Sequence, residues 1–433
     1  DDDMRKAGKR LEGVMIHSTS GIADLLKNED VAQVIIAIGK PDADNRRQVV
    51  EASMAAKARV LTIPPVNDWI NGQLSAGQIQ EVRIEDLLGR AVIRLDQGEV
   101  RALVAGKRVL VTGAAGSIGS ELVRQLAEMS PASLVLVDIA ESGLYDVEME
   151  LVGKKRNAGL HVLVADVRDE VRMRGIFTTH RPQLVLHAAA YKHVPLMEAQ
   201  PTEAIRTNVV GTRTVAQLAR EHGAERFVLI STDKAVNPTS VMGASKRAAE
   251  MVVGGIAQSG STVFVTTRFG NVLGSSGSVI PLFRKQIEAG GPLTVTHPEV
   301  TRFFMTIPEA CRLVLEAAAM GKGGEIYVFD MGQPVRIADL AEKMIRLSGK
   351  EPGVDIEVVY TGLRPGEKLY EELLSTSENT VPTHHPRILI GRVAPVDPAV
   401  VDGTINALVH ADNGAIVPAL QQLIPEYKPA SHS

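Results

Sequence analysis

Three glycines in the run Val109-Leu-Val-Thr-Gly-Ala-Ala-Gly-Ser-Ile-Gly119 follow an apolar, strand-like stretch and open a helical one. The chemistry suited to that spacing is phosphate binding. Gly113 permits a tight turn and Gly116 lets the backbone approach a pyrophosphate. Gly119 lets the helix pack against the sheet, so that its first N–H groups, near Ser117 and Ile118, hold the phosphates. Asp138 ends the next strand, at the spacing of a carboxylate that binds adenosine ribose hydroxyls. A carboxylate there repels a 2′-phosphate, which favours NAD over NADP. Asp166, ending the third strand, and Val167 beside it fall where an adenine contact would lie. A glycine triplet alone is equally a turn without a ligand, but strand, helix and acidic partner together favour a dinucleotide.

A second group of residues carries acid–base chemistry. Ser231-Thr232-Asp233-Lys234 leaves a strand at 226–231, and open α/β sheets place ligands at strand carboxyl ends. Asp233 and Lys234 are therefore expected to face the nicotinamide end of a bound cofactor. Met242 and Lys246 are four residues apart and share one face of a helix. Ala188 and Ala189, just after the strand at 184–187, are assigned to the cofactor, and Tyr191, Lys192 and His193 to the lining of the same site. His193 reads as a hydrogen-bonded structural histidine. An Asp-Lys dipeptide at a strand end is, in isolation, most often a surface ion pair; its setting here favours catalysis.

The elements that must position these residues alternate. Strands are expected at 34–38, 60–63, 108–112, 134–138, 161–165, 184–187, 226–231 and 263–268, with helices at 120–129, 147–158, 203–222 and 240–256. Continuous apolar strands separated by amphipathic helices imply an α/β fold, a doubly wound parallel sheet covered on both faces. A boundary falls near 86–107, after a small N-terminal unit with two clear strands and a Pro64-Pro65 stop. Beyond about Gly270 the rhythm loosens into Gly/Pro-rich loops, as a capping region would. The domains are thus expected at 1–95, 104–395 and 396–433, the last a helical tail.

With 47 Lys and Arg against 51 Asp and Glu, the net charge of −4 gives no electrostatic case for nucleic-acid binding. The single cysteine, Cys311, excludes an internal disulfide and any multi-cysteine metal site; no metal is expected. No stretch reaches the roughly 18 apolar residues of a membrane span.

The glycine loop, with Met242-x-x-x-Lys246 where a Tyr-x-x-x-Lys pair would stand, resembles that of extended short-chain dehydrogenases/reductases. Six further strings narrow the likeness: His187-Ala-Ala-Ala-Tyr-Lys-His-Val-Pro195, Thr207-Asn208-Val-Val-Gly-Thr212, the 231–246 run, Arg268-Phe-Gly-Asn-Val-Leu-Gly-Ser-Ser-Gly-Ser278, Thr301-Arg-Phe-Phe-Met-Thr306 and Leu363-Arg-Pro-Gly-Glu-Lys-Leu-Tyr-Glu-Glu372. Together they closely resemble bacterial nucleotide-sugar 4,6-dehydratases, and most nearly the large membrane-anchored UDP-N-acetylglucosamine 4,6-dehydratases. In that subgroup a methionine at the tyrosine position is usual. The likeness covers about 104–392 strongly and the N-terminal unit loosely.

The resemblance implies a Rossmann-like catalytic domain with a C-terminal substrate-binding cap, preceded by a partial second Rossmann-like unit. It implies tightly held NAD and a UDP-sugar substrate, in a homo-oligomer at the cytoplasmic face of the inner membrane. The start at Asp1-Asp2-Asp3 would then fall after a membrane anchor and the first glycine loop, leaving this fragment without membrane contact.

By the same resemblance Lys234 is the base at sugar C5, Asp233 the acid at the C6 hydroxyl, and Thr232 orients the C4 hydroxyl. Lys246 binds nicotinamide ribose, Met242 is an apolar wall, and Lys192, Asn271, Arg302, Arg364 and Glu367 serve the substrate. Arg268 reads rather as a scaffold ion-pair residue. For this chemistry the Lys234 pKa must fall below its usual value of about 10.4, and that of Asp233 must rise from about 3.9. A nucleotide-sugar 4-epimerase and a non-catalytic dinucleotide-binding scaffold remain the alternatives, and the Asp-Lys pair favours dehydration, because simple epimerisation needs no C5 base.

Overall fold

The computed structural model describes residues 3, 5–37, 43–63, 79–82, 97–153, 159–373, 379–392 and 397–430. The expected Pro64-Pro65 stop, the boundary stretch at 86–96 and the end of the helix at 147–158 lie outside the described residues. The chain forms two compact units, one of 93–276, 300–335 and 363–433 and the other of 1–92, 277–299 and 336–362.

The first unit is built on a nine-stranded sheet: β1 Arg108–Thr112, β2 Ser133–Asp138, β3 Leu160–Val164, β4 Leu184–His187, β5 Arg226–Ile230, β6 Val263–Arg268, β7 Glu325–Phe329, β8 Asn379–Pro382 and β9 Ile388–Arg392. Their order is β8-β9-β7-β6-β5-β4-β1-β2-β3. Strands β1 to β7 run parallel, and β9 and β8 add antiparallel edges. The order reverses between β1 and β4, which opens the crevice where doubly wound sheets bind ligands.

Both faces of this sheet are buried, for a reason visible in the strands. Side chains alternate across a strand. Leu110, Val185, Phe227 and Leu229 enter one core, while Val109, Val111, Leu184, Leu186 and Val228 enter the other. The expected helix at 203–222 is observed as three pieces: Pro201–Ala204, a π-helical segment Ile205–Gly211, and Thr212–Glu221. The interruption turns Asn208 inward, where its amide oxygen accepts the Tyr191 N–H at 2.8 Å and its amide nitrogen donates to the Tyr191 carbonyl and to Ser245 Oγ, each at 2.9 Å. Local apolar periodicity does not report that side-chain clamp, so the sequence reads as one helix.

The segment expected as a helical tail is integrated into this unit. Helices Pro398–His410 and Asn413–Leu423 begin at side-chain caps Asp397 and Asp412. They place Val401, Ile405, Leu408, Ile416 and Leu420 in the same core as Met242, Ala248 and Val252. Beyond them the Lys428 and Ala430 N–H groups donate to the carbonyls of Pro238 and Thr239, each at 3.0 Å. Residues 428–430 are thereby laced to the loop that precedes the helix Val241–Ile256.

In the second unit the strands Gln33–Ile36 and Arg59–Thr62 lie parallel, separated in sequence by the helix Ala43–Ala55, with Gln80–Glu81 antiparallel beside them. The same unit contains helices Val279–Glu288 and Ile337–Leu347 and the parallel pair Leu293–Val295 and Val358–Tyr360. Lys57 forms an ion pair with Glu351.

Beneath the carboxyl ends of β5 and β6 lies a fully buried carboxylate, Glu250. Arg268 grips it through two bonds, Nε to Oε1 at 2.8 Å and Nη2 to Oε2 at 2.6 Å. Arg247 adds a bond at 3.2 Å and Ser231 Oγ one at 2.6 Å. Burial opposes ionisation of Glu250, but the charge and hydrogen bonds of Arg268 outweigh it, so the carboxyl sits below its usual range. The scaffold role expected of Arg268 is the one it has. Arg268→Leu is expected to cost about 3–5 kcal/mol of folding stability, read from chemical denaturation, because it strips the main countercharge from a buried anion.

Candidate active site

The glycine loop leaves β1 with Gly113 at φ +66°, a left-handed conformation that side chains rarely adopt. A Cβ on Gly113 would lie 2.5 Å from the Ala189 nitrogen and 2.6 Å from the Ala188 carbonyl carbon. One on Gly119 would stand 2.0 Å from the Gly113 oxygen, and one on Gly116 3.2 Å from it. The three glycines therefore serve separate close approaches, and the structure brings Ala188 and Ala189 against the loop from β4. Gly116 starts the helix Ser117–Ala127 with no side chain capping it, leaving backbone groups at the end of a macrodipole that attracts anions. Ser117 Oγ accepts the Ser276 N–H at 3.1 Å.

Asp138, at the end of β2, accepts the Ala115 N–H of this loop at 3.0 Å and its own turn's Ala140 N–H at 2.9 Å. Its carboxylate thus lies directly beside the glycine loop. Asp166 is paired with Arg168 at 2.6 Å, and Arg168 in turn with Glu203 at 2.7 Å. Partial burial opposes ionisation of Asp166, and the Arg168 hydrogen bonds overcome it. Val167 is buried against Gly211.

Below the loop runs a directional hydrogen-bond chain that sequence reasoning misses. Thr212 Oγ1 donates to the Asn208 carbonyl at 2.7 Å, so it accepts from His187 Nε2 at 2.9 Å, and His187 Nδ1 accepts from Thr112 Oγ1 at 2.7 Å. Burial, reinforced by the Lys246 charge, depresses the His187 pKa to about 3. This neutral histidine locks β1, β4 and the segment after the π-helix together. The three contributors are far apart in sequence, so no local spacing announces them.

Thr232, Asp233 and Lys234 emerge from β5. Thr232 caps the short turn Asp233–Ala235, and its hydroxyl donates to Asp233 Oδ1 at 2.9 Å. Lys234 Nζ donates to the same oxygen at 3.1 Å and to Asn271 Oδ1 at 3.0 Å, and it lies 3.3 Å from Glu371 Oε1. Asp233 is buried, whereas Lys234 retains one-fifth of its side-chain exposure. The Asp-Lys pair is therefore no surface ion pair. Asp233 Oδ2 and Glu371 Oε2 are both buried and, among the described residues, have no hydrogen-bond partner. A Cβ on Gly270 would lie 2.9 Å from that free Asp233 oxygen, so the glycine keeps the space around it open.

Burial drives these groups in different directions. It pushes the Asp233 carboxyl above the usual range, against the pull of Lys234 and with help from the Glu371 charge. Burial alone would lower Lys234, but the charges of Asp233 and Glu371 win and hold its pKa above the ordinary lysine value. That corrects the expectation of a depressed Lys234: two flanking carboxylates outweigh desolvation. For Glu371, burial opposes ionisation, and Lys234 and Arg302 overcome it, so this carboxyl is held low. The sequence does not single out Glu371, which stands next to last in the 363–372 string, before a second acid, Glu372.

Arg302 is buried with Nη1 donating to the carbonyls of Thr301 and Leu369 at 2.7 and 3.2 Å, and Nη2 to Glu367 and the Lys368 carbonyl at 3.0 and 2.8 Å. It holds the 363–371 segment, and thereby Glu371, in place. Arg364 is exposed and pairs with Glu367 at 3.2 Å. Lys192 is exposed just beyond β4, and the charges of Lys192 and Arg364 join burial in lowering the pKa of His193. Met242 is buried in the core, one turn from Lys246. Lys246 donates to the Ile230 carbonyl at 2.7 Å, and burial lowers its pKa to about 8, with Glu250 opposing.

A parallel sheet with this strand order, a three-glycine loop at its switch point and a buried lysine on the helix after β5 define an extended short-chain dehydrogenase/reductase. Within that class the chain belongs to the polysaccharide biosynthesis protein family, whose model matches residues 109–393, a family of nucleotide-sugar dehydratases and epimerases. It is similar to the capsular polysaccharide biosynthesis protein CapD of Staphylococcus aureus, 44% identical over 414 residues, which are 95% of this chain and 69% of CapD. A Campylobacter jejuni UDP-N-acetylglucosamine 4,6-dehydratase (inverting) is 34% identical over 63% of this chain and 79% of its own length. A Rickettsia canadensis UDP-glucose 4-epimerase is 36% identical over the same shares. Among solved structures, the Streptomyces venezuelae dTDP-glucose 4,6-dehydratase DesIV, with NAD and TYD bound, superposes with a TM-score of 0.54 at 25% identity, covering 61% of this chain and 87% of that one.

Two outcomes test this geometry. Gly113→Val is expected to weaken nicotinamide-dinucleotide binding at least about tenfold, or about 1.4 kcal/mol, in a fluorescence titration. Because the folded Lys246 pKa, about 8, lies below its ordinary value of 10.5, the unfolded chain binds more protons between those values and stability rises with pH there. Lys246→Met should lack about 3 kcal/mol of that rise, seen by comparing the two proteins' denaturation midpoints across the window.

Proposed function

We propose that this protein is a UDP-N-acetylglucosamine 4,6-dehydratase that forms a UDP-4-keto-6-deoxy-N-acetylhexosamine for surface polysaccharide or glycoprotein synthesis. One observation carries the reading: a buried Asp233, with one carboxylate oxygen unpartnered among the described residues, beside a lysine at the carboxyl end of β5. The glycine cradle and Asp138 fit NAD: only glycine at 113 and 119 permits the close backbone packing that shapes the loop, and the helix Ser117–Ala127 opens beside it with no side chain capping its first N–H groups. Bound there, NAD would supply hydride chemistry between sugar C4 and C6.

The remaining work falls to protons moved by the chain. Thr232 orients the C4 hydroxyl, and Asp233 receives its proton and later delivers it to the departing C6 hydroxyl. A carboxyl with a raised pKa suits both halves of that exchange. Lys234 removes the C5 proton, which the new C4 ketone acidifies. Met242 has no ionisable proton, which supports the assignment of the C4 proton to Asp233. Lys246, fixed by the Ile230 carbonyl, is suited to hold nicotinamide ribose hydroxyls. Asn271, Lys192 and Arg364 suit the nucleotide end, where a guanidinium and an ammonium match the diphosphate charge. Arg302 and Glu367 fit the substrate site as the brace of the 363–371 segment.

Incubating the protein with UDP-N-acetylglucosamine and NAD in D₂O tests the reading. The expected product is lighter by one water after allowance for exchange. A product of unchanged mass would make the protein an epimerase, and NAD binding without turnover a scaffold. Lys234→Ala is expected to lower dehydration about 10²–10⁴-fold while leaving the dinucleotide bound, checked by the nucleotide content of the purified variant.

A further inference from the structure

We infer that Glu371 is the fixed counter-ion of Lys234, a positioning residue that carries the negative charge of the cluster and so leaves Asp233 free to take and give protons. The inference rests on the dehydratase reading and deepens it.

The geometry sets two carboxylates against one ammonium. Lys234 Nζ lies 3.1 Å from Asp233 Oδ1 and 3.3 Å from Glu371 Oε1, with the neutral Asn271 amide oxygen at 3.0 Å. Both carboxylates are buried, and each keeps an oxygen without a hydrogen-bond partner among the described residues. One ammonium does not offset two buried anions, so the carboxyl with less cationic support is the one that takes up a proton. The supports are unequal. Glu371 has Lys234, Arg302 with Nε at 3.9 Å, and Lys368 around it. Arg302 is held by Glu367 at 3.0 Å on its far side, and Lys368 is anchored on the Val236 carbonyl at 2.9 Å. Asp233 has Lys234 and the Thr232 hydroxyl at 2.9 Å, and it faces the Glu371 charge.

The consequence falls on Asp233. A sugar hydroxyl gives its proton only to a group of high proton affinity, and a carboxylate locked as the sole partner of an ammonium has a low one. By taking up the Lys234 charge, Glu371 relieves Asp233 of that task, and its own charge raises the proton affinity of Asp233 further. Asp233 Oδ2, beside which Gly270 leaves space, is the oxygen placed for the exchange. The same Glu371 charge keeps Lys234 protonated at rest. The base form of Lys234 therefore arises by loss of that proton to water, reached through the exposed fifth of its side chain. Both effects have one sign: the Glu371 charge holds protons on Asp233 and on Lys234, so dehydration rises with pH and removing the charge moves that rise to lower pH.

The test compares wild type, Glu371→Gln and Glu371→Asp as NAD-loaded proteins. It reads the titration of Asp233 by carboxyl ¹³C NMR, assigned through the signal lost in Asp233→Asn, and kcat and KM for UDP-N-acetylglucosamine as a function of pH. Glu371→Gln is expected to lower the Asp233 midpoint by about one pH unit and to move the acidic limb of kcat the same way, with KM changed less than about threefold. Glu371→Asp keeps the charge but draws it back by one methylene, and its midpoint should fall between the other two. A Glu371→Gln midpoint at or above the wild-type value overturns the inference. So does a kcat that drops evenly at every pH with its limb unmoved, the mark of a merely structural role. If Glu371→Gln fails to fold or to retain NAD, Glu371→Asp decides: a lowered Asp233 midpoint supports the counter-ion, and an unmoved or raised one overturns it. A wild type that releases no dehydrated sugar overturns the dehydratase reading instead, and the Asp233 titration still judges the role of Glu371.

Discussion

Everything chemical in the larger unit hangs on one buried anion. Glu250 lies on the helix Val241–Ile256, is gripped by Arg268 at the end of β6 and receives the Ser231 hydroxyl at the end of β5. Those strand ends carry, within three residues, Thr232-Asp233-Lys234 on one side and Asn271 on the other, while Lys246 lies one turn before Glu250 on the helix. An unpaired carboxylate in that position would carry a large desolvation penalty. The bidentate guanidinium and the hydroxyl relieve it only in one arrangement of the three elements. The geometry needed for proton transfer is thus enforced by a group that takes no part in it.

Around the substrate end, the same physics sorts two carboxyls into different tasks. Asp233 and Glu371 both lose water, and both face the Lys234 ammonium. Arg302 and Lys368 stand on the Glu371 side, whereas Asp233 feels the Glu371 charge as well as its own burial. Their proton affinities move apart, which is the condition for one to deliver protons while the other holds a charge. Arg302 provides that asymmetry and also ties down the backbone from Thr301 to Leu369. Electrostatic tuning and segment positioning therefore reside in a single side chain.

Much of this is legible in the sequence alone. The glycine loop, Asp138 and the strand-borne Asp-Lys pair were readable because each depends on residues close in sequence, whose spacing is set by one turn, one strand end or one helix face. The doubly wound sheet was readable because burial on both faces leaves continuous apolar strands. The π-helical break at Ile205–Gly211, the His187 chain and Glu371 were not, since their partners lie tens to more than a hundred residues away. The packing of the C-terminal helices against the Met242 core was hidden for the same reason: amphipathicity shows that a face is buried and not what it is buried against.

The amino-acid sequence by itself determined the fold class, the dinucleotide loop and the residue types able to move protons, because these follow from local sterics and hydrophobic period. Only the tertiary structure decided which of those groups is charged. A pKa depends on desolvation and on charges within a few ångströms, and those neighbours are assembled by folding. So the sequence offers Lys234 as a candidate base that would need a lowered pKa, and the fold surrounds it with two carboxylates that raise it.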